Sequence, residues 1–288
     1  MHSFKGSIKM IEIGKKTALL VANETKSGFT LQSDDGDEVF LPGSMAPNDL
    51  AVGQSLVVFV YTDTQGSRIA TPEIPFAEVN TFAYLRVKDV TDFGAFFDWG
   101  ISKDLLVPGN QQKVRVQHGE YHLVRICLEP ETNRLYGTTK IGAFTETSDV
   151  NLQEKDIVDI LPFKKTSLGI QVLIEEKYMG MLYHNEVFSK ITLGTKTKGI
   201  IKKVRSDGLV DVSLQAQGMK NLRDGSKTIL EALEKYNGTL PLTDKSDPRD
   251  IKYFLGMSKQ TFKRAIGMLY REKKVLLKKA SIELNENA

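Results

Sequence analysis

The chain reads as a mainly β, multidomain protein: three small five-stranded barrels in tandem, then an α+β module of three helices and a hairpin. Three observations lead there. First, landmarks recur at nearly fixed distances, as a duplicated small domain leaves them. Gly28 lies 14 residues before Pro42 and Pro42 lies 11 before Gly53, and Gly94, Pro108 and Gly119 repeat both intervals. Gly169, His184 and Gly194 keep the frame within one residue. Second, the runs between landmarks are short, rich in β-branched residues and bounded by Asp/Gly clusters, the pattern of hairpins. Third, beyond Gly225 the apolar spacing becomes helical.

The first unit, residues 1–72, holds Val39-Phe40-Leu41 after the turn Ser33-Asp34-Asp35-Gly36-Asp37, and an apolar run from Leu56 to Tyr61. Pro72 and Pro75 mark a linker. The second unit, 73–144, repeats the plan with Tyr84 to Val87, Phe93 to Phe97, Leu105 to Val107, Tyr121 to Leu128 and Arg134 to Thr138. Thr145-Glu146-Thr147-Ser148-Asp149 is a second linker, and a third unit, 150–217, runs from Ile157 to Leu214. In the last unit, 222–288, Ile229, Leu230, Leu233 and Tyr236 share a helical face, with Ser226 expected as its N-cap and Asn237-Gly238 as its end. Asp247-Pro248 opens a second helix that stops at Gly256. Ser258 caps a third, with Phe262, Ile266 and Leu269 turned inward. Val275 to Leu277 and Ile282 to Leu284 form a hairpin. Helix, helix, helix, hairpin is the order of a winged helix-turn-helix.

At 288 residues the chain suits two to four domains, and 41% apolar with 26% charged residues excludes a disordered or membrane-embedded class. The single Cys127 leaves no internal disulfide, and with no apolar run near 18 residues and no signal-like stretch after Met1-His2-Ser3-Phe4-Lys5 the expected location is the cytoplasm. Residues 226–288 carry 13 Lys and Arg against 8 Asp and Glu, a balance of +5, while the rest, with 26 against 28, stands at −2. The electrostatic footprint is therefore expected first in the tail.

Phe93-Gly94-Ala95-Phe96-Phe97, Leu105-Leu106-Val107-Pro108 and Asn133-Arg134-Leu135-Tyr136-Gly137-Thr138 together resemble the S1 RNA-binding motif, a five-stranded OB-fold. The residues support this independently. Gly94 permits the bend that sets two rings on one outer face, and alternation then sends Phe97 into the core. Phe93, Phe96 and Tyr136 become stacking platforms for bases. Arg134 matches the S1 arginine that pairs with phosphate or stacks, whereas Pro108 stands where many S1 domains place a histidine. The third unit has Leu168-Gly169-Ile170-Gln171 at the key strand, and its candidates are Tyr183, His184, Lys202, Lys203 and Arg205. The first unit has Ser27-Gly28-Phe29-Thr30, with Phe29 assigned to the core, and is expected to be structural. In the tail, Lys259, Gln260, Lys263, Arg264 and Arg271 lie outward on a helix that resembles a recognition helix, with Lys273, Lys274, Lys278 and Lys279 around the wing. Winged helices bind DNA, RNA or only protein, so that partner stays open.

No phosphate loop and no Cys/His set at zinc spacing occurs, so no cofactor, metal or catalytic residue is expected. His118 and His122 fall in a β-like segment and read as surface residues, and Asp34, Asp35, Asp37 and Glu38 serve a turn. Three such barrels followed by a winged helix resemble the YitL/CvfB family, conserved virulence factor B. That resemblance implies a cytoplasmic bacterial protein that binds single-stranded RNA and influences gene expression, virulence genes included, without catalysis. The alternatives are a DNA-binding transcriptional regulator acting through the winged helix, and a nuclease or nuclease accessory.

Overall fold

The computed structural model describes residues 10–184, 191–214 and 218–285, with 218–224 described by backbone alone. The N-terminal Met1-His2-Ser3-Phe4-Lys5, together with 185–190, 215–217 and 286–288, lies outside the described residues.

Fifteen strands make three five-stranded barrels. The first uses β1 (Lys16–Thr25), β2 (Gly28–Gln32), β3 (Glu38–Pro42), β4 (Ser55–Thr62) and β5 (Arg68–Thr71), closed in the order β1-β2-β3-β5-β4. The third uses β11 (Ile157–Lys165), β12 (Gly169–Ile174), β13 (Tyr178–Tyr183), β14 (Thr197–Val204) and β15 (Val210–Leu214) in the same order. The second is built from β6 (Phe82–Val90), β7 (Gly94–Asp98), β8 (Leu105–Pro108), β9 (Tyr121–Leu128) and β10 (Leu135–Thr138). Here β8 and β10 meet without a shared ladder, and Gly137 lies so close to Val107 and Leu105 that a Cβ would strike both.

The sequence landmarks are one backbone device used three times. Gly28 pairs with Pro42 and Gly94 with Pro108 across the second hairpin. In the third barrel Gly169 pairs with Tyr183, not His184, so the 14-residue interval is kept and the landmark is one residue earlier than expected. Each glycine is required by close approach: a Cβ on Gly94 would sit 2.7 Å from the Val107 carbonyl oxygen, and on Gly169 it would overlap that of Leu182. A hydroxyl closes each hairpin, with Thr25, Thr91 and Thr166 donating to the carbonyls of Gly28, Gly94 and Gly169. The second glycines, Gly53, Gly119 and Gly194, hold φ near +90, +82 and +81° and donate their amides to Val21, Val87 and Pro162. Those three residues begin the β-bulge of each first strand, which supplies the bend a small barrel needs.

Barrels one and two share a core. Phe59 and Tyr61 of β4 are buried among Trp99, Leu85 and Phe97, and the Phe59 and Trp99 rings meet edge to face at 5.4 Å. The linker lies along this seam, with Pro75, Ala77 and Val79 buried, Pro72 half-buried and Ile74 and Phe76 exposed, and the Val79 amide donates to the Gly14 carbonyl. Barrels two and three meet through a smaller cluster that sets Phe82, Leu123 and Ile141 against Leu161, Phe163 and Leu173. The second linker docks on barrel three, where the Glu146 amide donates to the Lys177 carbonyl.

The last unit is a winged helix: α1 (Gly218–Lys235), β16 (Thr239–Leu240), α2 (Pro248–Leu255), α3 (Lys259–Arg271), β17 (Val275–Leu277) and β18 (Ile282–Leu284), with sheet order β16-β18-β17. Two caps are as expected. Asp247 accepts from the Arg249 amide at 2.8 Å, and Ser258 from the Thr261 amide at 3.0 Å. Ser226 is not a cap. The helix begins eight residues earlier, and Ser226 is buried inside it with no partner for its hydroxyl among the described residues. Packing decides this start, because Gly225 lies against Thr261 and Ala265 of α3 and the helix must already be formed there. Phe262, Ala265, Ile266 and Leu269 fill a core that draws on no barrel residue among those described.

Candidate nucleic-acid interface

Strand β7 carries the clearest candidate surface. Phe93, just before it, is 62% exposed, and its ring meets Phe96 edge to face at 6.0 Å, while Phe97 is fully buried. The alternation expected of a strand with one core face is met. Only this barrel presents rings there. The matching residues are Ser27 and Thr30 in the first barrel, and Leu168, 65% exposed, and Gln171 in the third.

Phe96 opens onto a cleft of about 1140 Å³ between the second barrel and the first. Leu106, Pro108 and Tyr136 extend its apolar floor, and the β4–β5 turn of the first barrel, Asp63 and Thr64, forms the far wall. Arg134 reaches across, its guanidinium donating to the Thr64 carbonyl at 2.6 Å. Lys103 lies over the Tyr61 ring at 5.3 Å, and burial pushes its ammonium below the ordinary lysine value. Five carboxylates face these two cations: Asp63, Asp89, Asp104, Glu129 and Glu131. Asp63 is held below its ordinary value by backbone amides, first that of Ser67, and Asp104 pairs with Lys88 at 2.9 Å. The cleft therefore offers stacking surface and hydrogen-bond acceptors, and little attraction for phosphate.

A smaller hollow of about 300 Å³ lies beside Gly94, lined by Thr91, Asp92, Gly109, Gln112, Lys113 and Arg115. Lys113 and Arg115 were not singled out by the sequence reading. Their only signal is a Lys-Val-Arg alternation in a loop, which becomes informative once the loop is seen beside Phe93.

In the third barrel, Arg205 is engaged internally. It pairs with Asp211 at 2.7 Å, donates to the Tyr183 hydroxyl and lies 5.7 Å over that ring. His184 donates from Nε2 to the Thr166 carbonyl at 3.0 Å. Lys202 and Lys203 are exposed at the β14 bulge. Phe96, Arg134 and Tyr136 thus share one cleft, and Tyr183 and Arg205 form a separate set. In the winged helix, Lys263 and Arg264 are exposed on α3. Lys259 is partly buried and donates to the Lys245 carbonyl, and Arg271 folds back onto Gly267 of its own helix. Among the described residues no group of three His, Cys, Asp or Glu side chains could hold a metal ion, and no helix is long and apolar enough to cross a membrane.

Tandem S1-type barrels closed by a winged helix define a class of nucleic-acid-binding proteins. Residues 13–73 match the S1 domain family and residues 227–284 the CvfB-like winged helix domain. Along nearly its whole length the chain is similar to the conserved virulence factor B proteins. It is 29% identical over 285 residues to that of Staphylococcus aureus strain USA300, covering 95% of this chain and 94% of the relative. The protein of the same name from the bovine strain RF122 / ET3-1 is 28% identical over the same shares. A solved structure, a multidomain protein with nucleic acid binding domains from Streptococcus pneumoniae TIGR4, is 23% identical and covers 94% of this chain and 98% of its own, with a TM-score of 0.42. The S1 match falls on the barrel whose key strand has lost its rings.

Proposed function

We propose that this protein is a non-catalytic, cytoplasmic RNA-binding protein that takes up single-stranded RNA on its second barrel and so influences gene expression, virulence included as its relatives' name suggests. The observation that carries the reading is the Phe93–Phe96 ring pair, with Phe93 exposed and the half-buried Phe96 at the edge of a cleft floored by Tyr136. Splayed bases stack on such rings, whereas paired bases cannot reach them. Arg134 keeps donors beyond its bond to Thr64 for a base at the rim, and Tyr183, His184, Lys202, Lys203 and Arg205 extend the surface along the third barrel.

Titrating labelled single-stranded RNA, single-stranded DNA and duplex DNA against one preparation tests the reading. Single-stranded RNA should bind most tightly, and preferred duplex DNA would sink it. The exposed Lys263 and Arg264, with Lys259 and Arg271, suit phosphate contact rather than base reading, since point-charge or flexible cations mainly neutralise the backbone. Reversing charge at Lys263 and Arg264 should weaken binding about equally on all sequences. A loss confined to one duplex sequence would favour a DNA-binding regulator instead.

A further inference from the structure

We infer that the phosphodiester backbone of the bound strand crosses the second barrel over Lys113 and Arg115, on the side of Phe93 away from the carboxylate-rich cleft. This rests on the reading of that barrel as a single-stranded RNA site.

The cations of this barrel differ in what occupies them. Lys88 is paired with Asp104. Arg125 bonds Asn80 and lies over the Phe82 and Phe144 rings at 5.2 and 4.7 Å. Arg134 is bonded to Thr64, and Lys103 sits over Tyr61. Lys113, Arg115 and, on β6, Arg86 are exposed and among the described residues have no side-chain ion pair or hydrogen bond, and of these Lys113 and Arg115 line the hollow beside Gly94. One carboxylate, Asp92, shares their hollow. Two cations against one acid there, and two against five in the cleft, give the two sides of the ring pair opposite sign.

The loop bearing these cations is held in place before any ligand arrives. Its first amide, Gly109, donates to the Phe93 carbonyl at 2.9 Å, so it starts against the ring-bearing residue. The Lys113 amide donates to the Thr139 hydroxyl at 2.8 Å. The Gln112 side chain donates to the Val107 carbonyl and accepts from the Val116 amide, and Val116 is itself buried. Lys140 follows Thr139 and adds a third exposed cation near the base of the loop. Preorganised charge binds phosphate with less ordering cost than a free loop would. A strand whose bases lie on Phe93 and Phe96 then turns its sugar-phosphate edge toward Lys113 and Arg115, because the other edge faces carboxylates.

The test uses the full chain and a fluorescein-labelled single-stranded decaribonucleotide of mixed sequence, with anisotropy read from 0.05 to 0.5 M salt. Losing two phosphate contacts in K113A/R115A should make the log–log salt slope shallower by about 1.4, which amounts to a loss of roughly 25-fold at 0.1 M relative to a 1 M reference. The charge-conserving K113R/R115K should keep the slope. Both side chains are exposed, so near-ultraviolet circular dichroism should be unchanged. If F93A/F96A weakens binding while K113A/R115A leaves slope and affinity as they were, the phosphate path is wrong and the ring site stands. If the wild-type chain does not bind the oligonucleotide, both fail.

Discussion

The second and third barrels share a backbone frame and differ in what it displays. Gly94 and Gly169 admit the facing strand, Thr91 and Thr166 close the hairpin, and Gly119 and Gly194 bond the bulged first strand in the same way. On that frame the second barrel sets Phe93, Phe96 and Pro108, and the third sets Leu168, Gln171 and Tyr183. The nearby arginine of the third barrel is bonded to Asp211 and Tyr183. The frame depends on positions where backbone meets backbone, so substitution there is costly. The outward positions touch few neighbours and are free to vary in chemistry. A duplicated barrel can therefore change what it displays and keep its fold.

The largest expected effect breaks the second barrel and spares the third. Trp99 is buried between barrels one and two, its indole N–H donating to the Lys103 carbonyl, and W99A should cost about 3–5 kcal/mol. Hydrogen exchange should show the amides of barrels one and two losing protection together and those of barrel three keeping it. Loss of protection in all three would mean that the smaller cluster at Phe82 and Phe163 couples the barrels more tightly than its size suggests.

Next come the two glycines that should behave alike. G94A and G169A each force a Cβ into a carbonyl oxygen, and each should cost roughly 1–3 kcal/mol in urea unfolding, with G169A the worse because its contact is closer. If G169A is neutral, the third barrel does not rely on the shared frame.

The binding surface should separate the barrels in the opposite sense. F93A/F96A should weaken single-stranded RNA binding by about 1–3 kcal/mol per lost stack, while L168A/Q171A should leave it unchanged. Grafting rings into the third barrel with L168F/Q171F should strengthen binding. No gain would mean that the platform needs the cleft as well as the rings.

The smallest effect belongs to the first barrel. Hydrogen bonding from Arg68 holds the Asp37 carboxyl down at about 2, with the two side chains 2.7 Å apart. A depressed carboxylate adds stability that is full above its unfolded value near 4 and is lost as pH falls through about 2. The pair is partly exposed, so the effect is small. R68A should lower urea stability at pH 5, and the gap from wild type should shrink by pH 2. A gap that persists at pH 2 would assign Arg68 a packing role instead.

What could be read from the chain alone follows the range of each interaction. The caps at Asp247 and Ser258 span two or three residues, so local pattern determined them. The 14-residue interval also survived, although sequence pointed to His184 where the ladder uses Tyr183: the neighbouring histidine drew attention because many S1 domains place one there, but pairing register is decided by the strand opposite. Ser226 had the composition of a cap, and burial against α3 overrode it. The two-residue β16 was too short to carry a period. The linkers at Pro72 and Thr145 looked like tethers because polar and proline-rich composition says nothing of the surfaces they cross. Arg134 bonds a carbonyl 70 residues away, and Lys113 and Arg115 come beside Phe93 only when β7 and β8 pair. Composition and spacing thus determined three barrels, a winged helix and one ring-bearing strand. Which cations are occupied and which remain open to a phosphate was decided only by the tertiary structure, because an arginine's engagement depends on the partner that long-range packing brings within 3 Å.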